Sequence, residues 1–196
     1  MDGKIIAICT SKKKGTLKTQ VPSATLKENW GIKGDAHAGR WHRQVSLLAL
    51  EQIQAFRDRG AKVCYGAFGE NVVTEGLALR EFPVGTRLEM GETVLELTQI
   101  GKECHSHCAI YQTMGDCIMP REGVFAKVIK GGEIRPGDGI RKELPDTARP
   151  FTAAVITLSD KGYVGEREDK SGAEVVRLLK EAGYEVVETL LLPDGR

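Results

Sequence analysis

With 28 Lys+Arg against 27 Asp+Glu, the 196-residue chain is nearly neutral, and its 41% hydrophobic content suffices for a core. That excludes disorder as the main state. No apolar run approaches the about 20 residues of a membrane helix, and Met1-Asp2-Gly3-Lys4 opens no signal-peptide apolar region, so no membrane and a cytoplasmic address are expected. The length predicts between one and two domains. Charge is uneven: residues 1–43 carry nine basic and three acidic groups, residues 1–144 are net +4, and residues 145–196 are net −3. The basic first third reads either as a solvated loop around Lys12, Lys13, Lys14 and Lys18 or as an anion-binding surface for a phosphate-bearing ligand. It is short for a nucleic-acid tail, and no nucleic-acid partner is expected.

In chain order, Lys4 to Thr10 reads as a buried strand. Gly31 to Gly39 places three glycines in nine residues and predicts unusual turns. Val45 to Leu48 suits a strand. Ala49 to Arg59 suits a helix with Ala49, Ile53 and Phe56 on one face and Gly60 as its stop. Phe68 to Thr74 is strand-like, and Arg87 to Ile100 is a hairpin turning at Gly91-Glu92. Ala109 to Met114 makes a helical turn at most. Val124 to Ile129 and Glu133 to Ile140 complete a set of short strands with Gly-rich turns, which predicts a mostly-β barrel or sandwich over 1–143. Residues 144–151 read as a linker. From Thr152 the pattern is β-α-β: an apolar strand to Leu158 suited to burial on both faces, a helix capped by Ser171 with Glu174, and a strand from Tyr184 to Leu192. One such unit cannot bury a parallel sheet alone, so 152–196 is expected to be an incomplete α/β domain.

Five cysteines, an odd number, fit no disulfide scaffold. Cys9 and Cys64 lie in apolar or strand-like runs and are expected to be buried small hydrophobes. Chemistry concentrates in Lys102-Glu103-Cys104-His105-Ser106-His107-Cys108 and Cys117, just after the hairpin. One reading is a sulfur nucleophile or carrier whose thiolate is favoured by Lys102, His105 or His107. A second is a tetrahedral zinc site of Cys104, Cys108, Cys117 and His105, although C-x₃-C-x₈-C is no standard ribbon spacing. A third is plain packing. Asp35, His37, Arg40 and His42 offer acid, base and anion-binding groups in a glycine-rich loop, or Asp35 simply caps local amides. Arg121 offers an anion contact, or pairs with Glu122. No Walker loop, G-x-S-x-G elbow or G-x-G-x-x-G after a strand is present.

The stretches Gly31-Ile32-Lys33-Gly34-Asp35-Ala36-His37-Ala38-Gly39, Gln44-Val45-Ser46-Leu47, Gly69-Glu70-Asn71-Val72-Val73-Thr74-Glu75-Gly76-Leu77 and Thr98-Gln99 with Cys104 resemble the MOSC domain, the C-terminal domain of molybdenum-cofactor sulfurases. The resemblance covers roughly residues 1–142 and closes at Pro136-Gly137-Asp138. It implies a β-barrel that binds the molybdenum cofactor (molybdopterin-Mo) or relays sulfur through a cysteine persulfide. Cys104 matches the family's cysteine, a fixed distance after a Thr/Ser-Gln pair. Where the family places Arg and Pro before that cysteine, this chain has Gly101-Lys102-Glu103, and it adds Cys108 and Cys117. The resemblance implies a cofactor pocket with Asp35, His37, Arg40, Asn71, Lys102 and Arg121. The partners implied are a phosphate-bearing pterin and a cysteine desulfurase or molybdoenzyme acceptor. Some free-standing members are linked to reduction of N-hydroxylated compounds. The alternative of another class is a zinc-stabilised binding module without catalysis. Val155 to Lys161, Asp169-Lys170-Ser171-Gly172 and Ala182 to Asp194 resemble the start of the molybdopterin-adenylyltransferase family. That family's Gly-Gly-Thr-Gly nucleotide loop is absent, so adenylylation is not expected of this chain.

Overall fold

The structure, a computed structural model, describes residues 2–102, 116–145 and 151–194. The chain divides into two compact units, Met1–Pro145 and Asp146–Arg196.

The first unit is built on β1 (Gly3–Thr10), β2 (Thr19–Val21), β3 (Ala24–Lys27), β4 (Gly31–Ile32), β5 (Val45–Ala49), α1 (Leu50–Asp58), β6 (Val72–Glu75), β7 (Arg87–Met90), β8 (Thr93–Ile100), α2 (Met119–Glu122), β9 (Val124–Lys130), β10 (Gly132–Ile134) and β11 (Gly139–Glu143). Seven strands close on themselves in the order β11-β7-β8-β9-β5-β6-β1, with β1 pairing back to β11. Closure leaves no open edge among those seven strands. The mostly-β barrel expected from the sequence is therefore the fold. The strands β3, β4 and β10 form a separate three-stranded sheet that the sequence pattern did not suggest.

Side-chain alternation divides two apolar clusters. Leu95 and Leu97 of β8 point inward with Ile5, Ile8, Leu47, Val72, Leu88, Met90 and Val124. Ile5 and Ile8 share this interior although three residues apart, because a bulge between Ile5 and Ala7 shifts the register. Ala7, Leu48, Val73 and Phe125 point outward instead, under Ile53 and Phe56 of α1. This covering explains why all five residues of β5 are buried. The expected strand from Phe68 begins only at Val72, because Glu70 and Asn71 are engaged in buried polar contacts before it. The expected turn at 109–114 lies outside the described residues.

The second unit comprises β12 (Thr152–Leu158), α3 (Asp160–Tyr163), α4 (Lys170–Glu181) and β13 (Glu185–Leu192), with β12 and β13 parallel. Two expectations are corrected. The cap of α4 is Asp169, which accepts from the Gly172 amide at 2.8 Å, while Ser171 lies inside the helix. Buried on both faces is also wrong for β12: Val155 is buried, but Ile156 and Leu158 are 58% and 59% exposed. A two-stranded sheet with helices packed against it leaves the other apolar positions uncovered. No helix among the described residues is long and apolar enough to cross a membrane.

Candidate functional site

The exit of β8 is shaped by a second bulge. Leu97 pairs with Ala126 and Gln99 with Phe125, so Thr98 is the extra residue between them. Bulges re-aim side chains, and the Thr98 hydroxyl is turned onto the carbonyl of His42, 3.1 Å from that of Phe125. Gln99 donates to the Gly101 carbonyl at 2.8 Å, which leaves its amide oxygen 2.9 Å from His42 Nε2. That oxygen can only accept, so Nε2 is the donor of this bond. Gly101 follows at φ +69°, where a Cβ would stand 2.4 Å from the Pro120 carbonyl oxygen. The Gly101 and Lys102 amides then bond to Gly123 and Pro120 at 2.7 and 3.1 Å. Only glycine accommodates both the dihedral and the approach.

The segment 31–43 meets this exit from the other side. Its anchor is Asp35, whose carboxylate receives Lys18 Nζ at 3.0 Å on both oxygens, the Ser11 amide at 3.0 Å and the His37 amide at 2.9 Å. Both side chains are 1% exposed. Burial alone would raise the Asp35 pKa, but the His37 ring beside it, the Lys18 charge and the backbone amides hold it well below the usual carboxylate range. Of the four lysines read together in the basic first third, Lys18 is therefore neither solvated nor open to a ligand; Lys12, Lys13 and Lys14 are exposed. Asp35 does cap local amides, and more than local ones.

From Asp35 the chain rises to the exit through direct contacts. His37 Nδ1 stands 3.4 Å from Asp35 Oδ1, and Trp41 Nε1 donates to the His37 carbonyl at 2.9 Å. Arg43 lies over the rings of Trp41 and Phe125, 4.9 and 5.7 Å from their centroids. Ser11 Oγ and Arg43 Nε are buried without a hydrogen-bond partner among the described residues, while His37 Nδ1 faces Asp35 Oδ1. Orphaned buried polar atoms are uncommon and call for a ligand or solvent partner. Arg40 is exposed and Lys102 half-buried. A cationic rim of this kind suits an anionic group such as a phosphate. Arg43 was missed in the sequence. Its only signal there was its place between aromatic Trp41 and the strand-like run that begins at Val45.

Other candidate residues serve the framework. Asn71 donates to the Cys9 carbonyl at 3.0 Å and accepts from Ser46 Oγ at 3.0 Å, clamping β1 to β5. Glu70, fully buried, accepts the Gly66 and Phe68 amides at 2.6 and 3.0 Å, yet burial raises its pKa. Cys9 is buried as expected, and burial, then the Glu70 charge, pushes its thiol up to about 12, which makes it inert. Cys64 is exposed, against expectation, because it lies in the 61–68 loop outside the strands. Arg121 pairs with Asp116 through two bonds of 3.0 and 3.1 Å, whereas Glu122 pairs with Arg80. Their i,i+1 neighbours on a helix do not face each other, which is why the Arg121–Glu122 pairing fails.

Cys104, His105, His107 and Cys108 lie outside the described residues. The segment holding them leaves at Lys102 and returns at Asp116, which Arg59 and Arg121 both hold. Cys117 is buried in the outer apolar cluster with Ile118 and Met119. Among the described residues, no three His, Cys, Asp or Glu side chains group to hold a metal.

The family model for the MOSC domain matches residues 34–141. The molybdopterin adenylyltransferase of Pyrococcus furiosus is 40% identical over 58 residues, 30% of this chain; the chain spans about a third of that relative, 34% of its length. The fold is shared with the YUAD protein from Bacillus subtilis, with TM-score 0.64 at 18% identity over 74% of this chain and 98% of that one. It is shared also with YiiM from Geobacillus stearothermophilus, with TM-score 0.57 at 17% identity over 93% of each chain. YiiM from Escherichia coli gives 0.53 at 18% identity, over 93% of this chain and 94% of that one. The barrel strands from β5 to Arg141 of β11, and the loop from Gly34 that meets the β8 exit, fall within the span of a model that covers more than half of the sequence, and this chain belongs to the MOSC domain family.

Proposed function

We propose that this chain handles the molybdenum cofactor in the cytoplasm, its barrel holding the phosphate-bearing pterin and its Cys104 ligating the metal or carrying sulfane sulfur. The observation that carries the reading is the meeting of two segments: the Thr98 bulge and Gln99, five residues before Cys104, hold His42 of the loop that bears His37, Arg40 and the orphaned Arg43 Nε. The family membership supports it, and the molybdopterin-adenylyltransferase likeness of a 58-residue stretch points the same way. We read residues 152–196 as the main source of that second likeness, which at 58 residues reaches beyond them.

The cofactor, when bound, supplies a redox-active metal and a dithiolene at the end of a phosphate-bearing pterin. What the chain supplies is holding and presentation. Arg40 and Lys102 offer charge to the anion, His37 a ring nitrogen, and the Gly101 turn sets the direction in which the chain leaves toward Cys104. In the sulfur-relay form, the Cys104 thiolate attacks the terminal sulfur of a donor cysteine persulfide. The donor's S–S bond breaks, a new one forms at Cys104, and the donor leaves as its thiolate with no net redox change.

The test is mass spectrometry after incubation with a cysteine desulfurase and cysteine. An adduct of about +32 Da, lost in Cys104→Ala and kept in Cys117→Ala, is expected. An adduct indifferent to Cys104 sinks the relay. Elemental analysis of the purified protein decides between stoichiometric molybdenum, which favours a cofactor holder or a reductase of N-hydroxylated compounds, and zinc, which favours the binding module.

A further inference from the structure

The arginines drawn against the barrel are matched by acids: Arg59 and Arg121 by Asp116, Arg80 by Glu122, Arg87 by Glu96. Arg57 donates to the Val63 carbonyl at 3.0 Å. Arg43 has neither kind of partner among the described residues, although it is half-buried and its Nε is sealed from solvent. Aromatic faces attract a guanidinium, and Trp41 and Phe125 account for its position. They cannot accept its hydrogen bonds. A guanidinium held by stacking, with no carboxylate partner among the described residues, is prepared at its two terminal nitrogens for a planar or tetrahedral oxyanion that takes two parallel bonds, its sealed Nε being beyond a ligand's reach. Its platform is fixed on both sides, since the Thr98 hydroxyl bonds at the His42 carbonyl and lies 3.1 Å from that of Phe125. Trp41 is 37% exposed and leaves an aromatic surface beside the cation.

We propose that Arg43, stacked on Trp41 and Phe125, is the residue that binds the phosphate of a phosphate monoester, with Trp41 contacting the ester's organic part. This assignment rests on the reading of the barrel as a cofactor holder and names the residue that recognises the ligand's anionic end.

The experiment uses the full chain with Trp30→Phe, so that Trp41 is the sole tryptophan and reports by fluorescence. Phenyl phosphate and inorganic phosphate are titrated separately at fixed ionic strength. Phenyl phosphate is expected to give a saturable change that Arg43→Gln weakens roughly tenfold or more. Arg141→Gln, removing an exposed cation paired with Glu89, shifts it about twofold or less, as screened surface charge does. Arg43→Lys retains the charge but not the fork, and is expected to bind with an intermediate constant. It decides the matter if Arg43→Gln does not melt cooperatively. Equal weakening by the Arg43 and Arg141 changes, no saturable response in the parent, or binding of inorganic phosphate as tight as the ester overturns the proposal. Persulfide on Cys104 is a separate readout. Arg43-dependent phosphate binding without it upholds this inference and overturns the relay, and persulfide without Arg43-dependent binding does the reverse.

Discussion

Two aspartates of the barrel unit are clasped by cations, and the two clasps differ in everything but their chemistry. Asp35 and Lys18 are 1% exposed, and two backbone amides complete the carboxylate. Asp116 lies between Arg59 and Arg121, whose side chains are 52% and 53% exposed. Both carboxyls are held below their usual range: Asp116 by the Arg121 and Arg59 hydrogen bonds, Asp35 by its neighbours against the opposing effect of burial. Similar shifts therefore conceal unlike energetics. Breaking a buried pair leaves an uncompensated charge, whereas water repairs an exposed one.

The largest expected effect follows from the buried clasp. Lys18→Met leaves Asp35 charged and unpaired and should cost about 3–5 kcal/mol in chemical denaturation. In an Asp35→Asn background the same change should cost at least about 1 kcal/mol less. A cost equal in both backgrounds would dissolve the distinction between the two aspartates. Next, Gly101→Ala forces a non-glycine residue to φ +69° against the Pro120 carbonyl and should cost about 1–3 kcal/mol. If it costs nothing, the β8 exit is not stitched to α2 as described. Thr98→Val should cost about 1 kcal/mol and also weaken the anion binding assigned to Arg43. A stability loss with binding intact would detach the bulge from the site. Asp116→Asn, last, should cost under about 1 kcal/mol, and less in high salt.

The pH dependence sharpens the same contrast. The folded pKa of Asp35 lies below its unfolded one, so its contribution is complete above the ordinary carboxylate value of about 3.9 and is lost as pH falls through the folded value. Asp35→Asn should therefore flatten the acid limb of a stability–pH curve below that point. Asp116→Asn should flatten it in the same direction but by less, because solvent screens its exposed arginine partners.

Legibility in the sequence tracked the range of the interaction. The β7–β8 hairpin, α1 before Gly60 and the parallel β12–β13 pair were readable because alternation, helical spacing and turn glycines are local signals. The short sheet of β3, β4 and β10 was not readable, because its pairing is set by contacts such as Gly132 with Leu26, over a hundred positions apart. Lys18 looked like one of several loop lysines, and nothing near it in sequence announced Asp35. Asp169 was passed over as a cap because Ser171 with Glu174 formed a matching local motif two residues later.

The sequence alone determined the class of the fold and the family, through period-two runs, Gly-rich turns and the motifs from Gly31 to Cys104. Only the tertiary structure decided which charges remain open to a ligand. The charged Lys18, Asp35 and Arg121, and the neutral amide of Asn71, are each matched by partners inside the protein, while Arg43 Nε has no hydrogen-bond partner among the described residues. The reason is physical: a side chain's availability depends on what closure of the barrel brings within about 3 Å of it, and no local pattern encodes that distance.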